Sequence, residues 1–429
     1  MRITSWKNGL SREPLVHPFG FKGGYISELW QSVVLLSDEN GYDGLGNGVQ
    51  SVLWSDANVF ARFRENGGNA MMLALTTYAL DLSTQIEWST PLDLQEQLLP
   101  QVTAYARRIC DNPHLRLTFV LNSLVPIDTA AWRLYAAAKN ITKFEYLIPD
   151  EYRAAMGFQH HRLAAVPLIT YALTPGHAVT EVEAGCPMLK IKIGADPNGD
   201  GDREKMLKWD CQRLSDLHNE LKRFQTTETT NGRIAYYLDA NGRYDSKDRL
   251  LRFLDHADKI DALAQIVLLE EPFSEDSNIE VGDLPICIAA DESAHSDVDA
   301  QRRIDQGYRA MALKPVAKTL SMSLKVLHTA HCAGISCFCA DLTVPPYLLE
   351  WNRNIAARIA PLPSMRCGVL ESNGAQNYVN WSVIERAHSC PDGEWIAPKH
   401  GVFELDDEFY RLDGGLLQVS EYYRQLCGK

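Results

Sequence analysis

Three carboxylates stand directly behind short apolar runs: Asp239 behind IAYYL, Glu270 behind QIVLL and Asp291 behind PICIAA. A charge at the end of a buried run is costly unless it is paired or binds a metal. Singly, each is more readily a helix cap or a loop salt bridge; three on successive runs point to one shared cation. Oxygen-only donors suit magnesium, or manganese, better than zinc, which calls for His or Cys.

The stretch PMLKIKIGAD, residues 187–196, supplies the complementary charge. Side chains alternate along a strand, so Leu189, Ile191 and Ile193 share one face while Lys190 and Lys192 share the other. A lysine acts as a base only if its pKa falls from about 10.4 toward 7 or 8, and a neighbouring ammonium plus a nearby metal cation push it that way. Lys192 is the expected base and Lys190 the neighbour that favours its neutral form. Lys314 interrupts MALKPV at another strand end, four strands further on. It is expected to face the same cavity from the opposite side.

These residues need a frame, and the chain supplies one from about residue 160 onward. Eight short runs rich in Val, Ile or Leu, from LAAVPLITYAL to MRCGVLES, alternate with helical patterns such as DREKMLKWDCQRLSDLHNELKRF. Strand and helix in alternation imply right-handed βαβ units, and eight of them a closed (β/α) barrel whose active groups stand at the carboxyl ends of its strands. The α/β barrel is expected over 156–395. Residues 1–155 read as an α+β capping domain, with WQSVVLLSDENGYDGLGN as a hairpin, and 396–429 as a segment returning to that domain. A chain of 429 residues is long enough for both.

The formal net charge of −13 argues against a nucleic-acid surface. No run approaches a membrane span and MRITSWKNGLSREP lacks a signal-peptide core, so a cytoplasmic protein is expected. The ten cysteines form no C-x-x-C pair, and free, mostly buried thiols are expected. Asp196, Asn198, Asp200 and Gly201 imitate the opening of a calcium loop, but Leu207 falls where a bidentate Glu belongs, so an acidic turn capping the next helix is the better reading. A hydrolase barrel would call for histidine ligands, and no strand end offers one.

In order, LKIKIG, LDANG, LEEPF, AADES and ALKP resemble the enolase superfamily and, within it, the muconate lactonizing enzyme subgroup of the mandelate racemase/muconate lactonizing enzyme family. The resemblance covers the whole chain. It implies a modified TIM barrel closed by a capping domain, with Asp239, Glu270 and Asp291 as magnesium ligands, Lys192 as acid/base, Lys190 near the substrate carboxylate and Lys314 on the opposite face. It also implies abstraction of the α-proton of a small-molecule carboxylate, a metal-stabilised enolate, then racemisation, epimerisation or cycloisomerisation. A lyase losing water is the alternative, and a non-catalytic metal-binding barrel a third. Asn241 fits a D-x-N variant and Glu371 a strand-eight group near the substrate carboxylate; Asp341 takes the seventh strand end. Departures are the KPVAKTLS that replaces a Gly-Gly turn and the absence of D-x-D after strand eight. Specificity is expected in residues 17–30 and 46–56, where Phe19, Phe21, Tyr25 and Trp54 are pocket candidates and Gly23 and Gly24 hinge a lid. A closed homo-oligomer is expected, as for many soluble enzymes.

Overall fold

The structure, a computed structural model, describes residues 1–21 and 24–428. It opens with an antiparallel sheet of β1 (Ile3–Phe21), β2 (Gly24–Asp38) and β3 (Asp43–Gln50). The turn between β2 and β3 is set by Asp38, whose Oδ1 accepts from the amides of Asn40 and Tyr42 at 2.9 Å each, and by Gly41 at φ 84°. The glycines of DGLGNG belong to β3 itself, not to the turn. Gly44, Gly46 and Gly48 repeat every second residue and so share one face. A Cβ on any of them would strike the helix Leu117–Ala138, at Ala130, Pro126 or Leu134. The missing side chains let that helix lie directly on the sheet.

The second sheet is the barrel. Its strands are β4 (Arg162–Val166), β5 (Leu168–Ile169), β6 (Met188–Lys192), β7 (Ala235–Asp239), β8 (Ile266–Glu270), β9 (Ile288–Ala290), β10 (Ala310–Leu313), β11 (Ser336–Cys339) and β12 (Gly368–Glu371). β4 and β5 are one strand broken at Pro167, which has no amide hydrogen to donate. β4 pairs parallel with β12 and β5 pairs parallel with β6, so the broken strand closes the ring. All eight expected runs lie in it. A final strand, β13 (Val402–Glu404), adds antiparallel to β4. The tail therefore joins the barrel before its last helix, Glu421–Leu426, reaches the first sheet, where Tyr423 donates its hydroxyl to Gln31 at 2.9 Å.

Leu189, Ile191 and Ile193 are fully buried in the main core between strands and helices. The barrel interior is a separate cluster, narrow and rich in alanine (Ala164, Ala235, Ala289, Ala310, Ala312), filled by Met188, Tyr237 and Phe338. Among the described residues no helix is long and apolar enough to cross a membrane, and all ten cysteines are free thiols.

Candidate active site

The strand ends converge on one cavity, walled by Lys190, Lys192, Asp239, Glu270, Asp291 and Lys314 together with Asn241, Glu292, Asp341 and Glu371. In-register pairing accounts for the first contacts, since Lys192 stands level with Asp239 and Asp239 with Glu270 on neighbouring strands. Beyond β6 the chain turns at Gly194 (φ 82°), where a Cβ would meet Arg243. The Gly194 amide donates to Asp210 at 2.8 Å, and Asp210, on the helix Arg203–Leu221, also accepts from Tyr244. The long segment between β6 and β7 thus fixes the loop that follows the lysine pair. The acidic turn before that helix ends in Asp202, which caps it by accepting from the amides of Glu204 and Lys205.

The two lysines of K-x-K have different surroundings. Lys190 is enclosed: its Nζ lies 3.1 Å from Asp239, 3.3 Å from Glu270 and 3.2 Å from Glu371, and 4.5 Å above the Tyr237 ring. Burial opposes its charge, but the three carboxylates outweigh burial and hold its pKa well above the ordinary lysine value. The sequence reading treated Lys190 as a bare ammonium beside Lys192; it is instead neutralised by anions. Lys192, less buried, donates to Asp239 at 2.6 Å and to Asn241 Oδ1 at 2.5 Å. Asn241 sits in left-handed backbone (φ 44°), which Asn tolerates better than most residues, and donates onward to Glu292 at 3.0 Å.

Across the cavity, Lys314 pairs with Asp291 and lies 4.9 Å from the centre of the Trp54 ring. It begins the short helical turn Pro315–Lys318. That turn brings in Lys318, which the sequence reading missed: its buried Nζ is 3.1 Å from Asp291 Oδ1 and donates to the Asp291 carbonyl at 2.6 Å. A lysine four residues on in a helical turn lies on the same side as Lys314, which was the available signal. Glu292 follows Asp291 at the fifth strand end, but the sequence gives it no role. Strand alternation would send it away from Asp291, but β9 ends at Ala290 and both carboxylates turn inward.

Glu270, Asp291 and Glu292, all buried, each bring one oxygen within 4.8 Å of the others. Asp239 is not in that trio, because its Oδ2 lies between the two lysines. Behind them Glu271, also left-handed (φ 43°), accepts from the amides of Asp291 at 2.9 Å and Ser293 at 3.3 Å, fixing the loop that carries Asp291. On the far wall, Asp341 accepts from the amides of Leu342 and Asn373, and Glu371 accepts from the amide of Asp341. Asn373 lines the cavity and is held by Thr343, whereas Gln376 donates to Glu181 and Asn377 to the Asn373 carbonyl.

Six carboxylates thus face three lysines. For Asp239, burial is outweighed by Lys192 and Lys190 and the pKa falls to about 2; for Asp291, Lys314 and Lys318 likewise outweigh burial and hold it low. The less compensated acids go the other way. Burial drives Glu270 up to about 8 against the pull of Lys190, and burial with repulsion from Glu371 drives Asp341 up to about 7. A surplus of buried carboxylate oxygens with no His or Cys among them fits a hard divalent cation.

The first sheet roofs the cavity with Leu15, Phe19, Ile26 and Leu29, joined by Trp54 from the short helix Val52–Ser55 that follows β3. Tyr25, expected among them, is 69% exposed and packs its ring over Gly20. The side chain of Phe21 and the whole of Gly23 lie outside the described residues. Gly24 is part of β2, with Leu53 and Phe60 where its Cβ would be.

A family model described as enolase C-terminal domain-like matches residues 175–398, more than half of the chain. None of the curated proteins matches it in sequence. Among solved structures, the chain is similar to a mandelate racemase/muconate lactonizing protein from Herpetosiphon aurantiacus, with TM-score 0.61 and 16% identity over 95% of this chain and 96% of that one. It is similar to N-succinyl Arg/Lys racemase from Bacillus cereus (TM-score 0.61, 16% identity, 88% and 89% covered). It is also similar to dipeptide epimerase from Enterococcus faecalis, complexed with Mg and the dipeptide L-Leu-L-Tyr (TM-score 0.60, 16% identity, 89% and 92% covered). At such identities the likeness of structure speaks for the fold, and the family match carries the relationship. This chain belongs to the enolase superfamily, in its mandelate racemase/muconate lactonizing enzyme family.

Proposed function

We propose that the protein abstracts the α-proton of a carboxylate substrate with Lys192 and returns a proton to the same or a neighbouring carbon, as a racemase, epimerase or cycloisomerase. The observation that carries this reading is the unequal setting of the lysines. Lys190 is locked among three carboxylates and Lys314 is paired with Asp291, whereas Lys192 is the most open of the three; Lys192 and Lys314 stand on opposite walls, at the ends of β6 and β10, four strands apart. Two lysines on opposite walls, one acting as the neutral amine and the other as the ammonium, suit proton removal on one face and delivery on the other. The racemase and epimerase named above support the isomerase outcome.

Asp239, Glu270 and Asp291 are the proposed holders of magnesium, with Glu292 as a further oxygen donor. A divalent ion held there would stabilise the second negative charge that builds on a substrate carboxylate as its α-proton leaves. Lys190 adds a fixed positive charge beside that position. Asn241 holds Lys192 by its amide oxygen and so aims the ammonium or amine at the substrate carbon. Asp341 and Glu371 bound the far side.

The test is incubation with magnesium and a library of carboxylic acids in deuterated water. Deuterium should enter the α-position of some acids with the mass otherwise unchanged, and Lys192→Ala should lower that exchange by about 10²–10⁴-fold, the usual contribution of general acid/base catalysis. Undiminished exchange in Lys192→Ala overturns the base assignment. Loss of 18 mass units identifies dehydration instead of isomerisation.

A further inference from the structure

The cavity is divided by chemistry. Among its described lining residues every charged one comes from the barrel, while the roof presents Leu15, Phe19, Ile26, Leu29 and Trp54, with Ser51 as its one uncharged polar group. Among the described residues, the acidic groups of the first sheet nearest the roof are committed elsewhere. Glu28 pairs with Arg12 and accepts from the Trp30 indole, Glu13 is held by Ser11 and Asn380, and none of these lines the cavity. Lys314 under the Trp54 ring marks the seam between ionic floor and apolar roof.

We infer that the substrate is a carboxylate whose remaining body is apolar and uncharged, an alkyl- or aryl-bearing acid with its carboxylate on the floor and its body under the roof. This deepens the proton-abstraction reading and rests on it for the placing of the carboxylate. Among the described residues of the roof, an ammonium or second carboxylate in the body would meet no opposite charge and would lose its water there, a heavy cost. An apolar body gains with each methylene buried.

The test is a calorimetric titration, in magnesium, of acetate and the phenylalkanoates from phenylacetate to phenylpentanoate. It is run on the wild type and on Lys192→Ala, in which the roof is untouched. Affinity should rise by up to about fourfold per methylene in both. An ω-ammonium or ω-carboxylate analogue of the same length should bind at least about 10-fold more weakly than its phenyl counterpart. Phe19→Lys should reverse the order, favouring the ω-carboxylate. Phenylalkanoates binding no better than acetate, or charged analogues binding best to the wild type, overturn the inference even if deuterium exchange is seen. Tightening along the series with no exchange of any acid overturns the proton-abstraction reading and leaves the apolar roof standing.

Discussion

At the scale of single residues, the chemistry was legible wherever strand alternation decides which way a side chain points. Lys190 and Lys192 face the cavity and Leu189, Ile191 and Ile193 face the helices because a strand leaves no other choice. Where the strand stops, the rule stops: Glu292 comes from a loop, so its inward orientation is set by backbone geometry that no periodicity reports, and Lys318 is reached only through its helical spacing from Lys314. The aromatics of residues 17–30 show the same limit. Phe19 lines the cavity and Tyr25 lies outside it, although either would serve chemically. Lys314 carries the prediction at this scale. With a racemisable acid, Lys314→Ala should depress deuterium exchange of one enantiomer at least about 10-fold more than of the other, as read by chiral chromatography of the exchanged acid. Equal loss for both hands would place Lys314 outside the proton relay.

At the scale of elements, the barrel was readable because each strand is an apolar run bounded by turns, whereas β1 was not. Most of its nineteen residues are partly or fully exposed and show no sustained two-residue alternation, so only its pairing with β2 makes it a strand. The same limit hid how the Lys314 turn is held. Thr319, which caps the helix Leu320–Cys332, has φ 73°, an unusual backbone for a β-branched residue. It is clamped from the N-terminal half: Gln95 accepts its hydroxyl at 2.8 Å, and Asp128 accepts from the Leu320 amide at 2.8 Å and from Ser321. Burial pushes Asp128 up to about 7, against those hydrogen bonds. In the unfolded chain the same acid titrates near 4. Between those values the folded form keeps a proton that the unfolded form has released, so stability falls as pH rises, by up to about 1.4 kcal/mol per pH unit from this one group. Asp128→Asn should remove that slope. Urea unfolding of both proteins from pH 4.5 to 7 reads it directly, and parallel pH profiles would mean that Asp128 is ionised throughout.

For the molecule as a whole, the six carboxylates of the cavity still outnumber its three lysines with Lys318 added behind Asp291, which leaves room for a further positive charge. Magnesium at 100 times its dissociation constant should therefore add about 2.7 kcal/mol of stability, seen as a raised Tm that EDTA reverses and Asp291→Asn abolishes. An unchanged Tm in saturating magnesium would count against the metal assignment. Tyr423 tests the architecture separately. It is fully buried, stacks on Tyr347 with ring centres 5.2 Å apart and bonds Gln31 of β2, so Tyr423→Ala should cost about 3–5 kcal/mol. Hydrogen exchange should rise first in β2, and a loss confined to the tail would show that the sheet stands without it.

That tyrosine also sets a clock. The two ends of its hydrogen bond are 392 residues apart, and a ribosome adding roughly 5–20 residues per second needs roughly 20–80 s to travel between them. For that interval the first sheet exists without the helix that covers it, its buried Val33 and Leu45 waiting first for Tyr347 and last for Tyr423 to complete their cluster. Nascent chains of this protein should accordingly depend on chaperones more than chains whose first domain is self-contained, and the dependence should end only when the last helix leaves the exit tunnel.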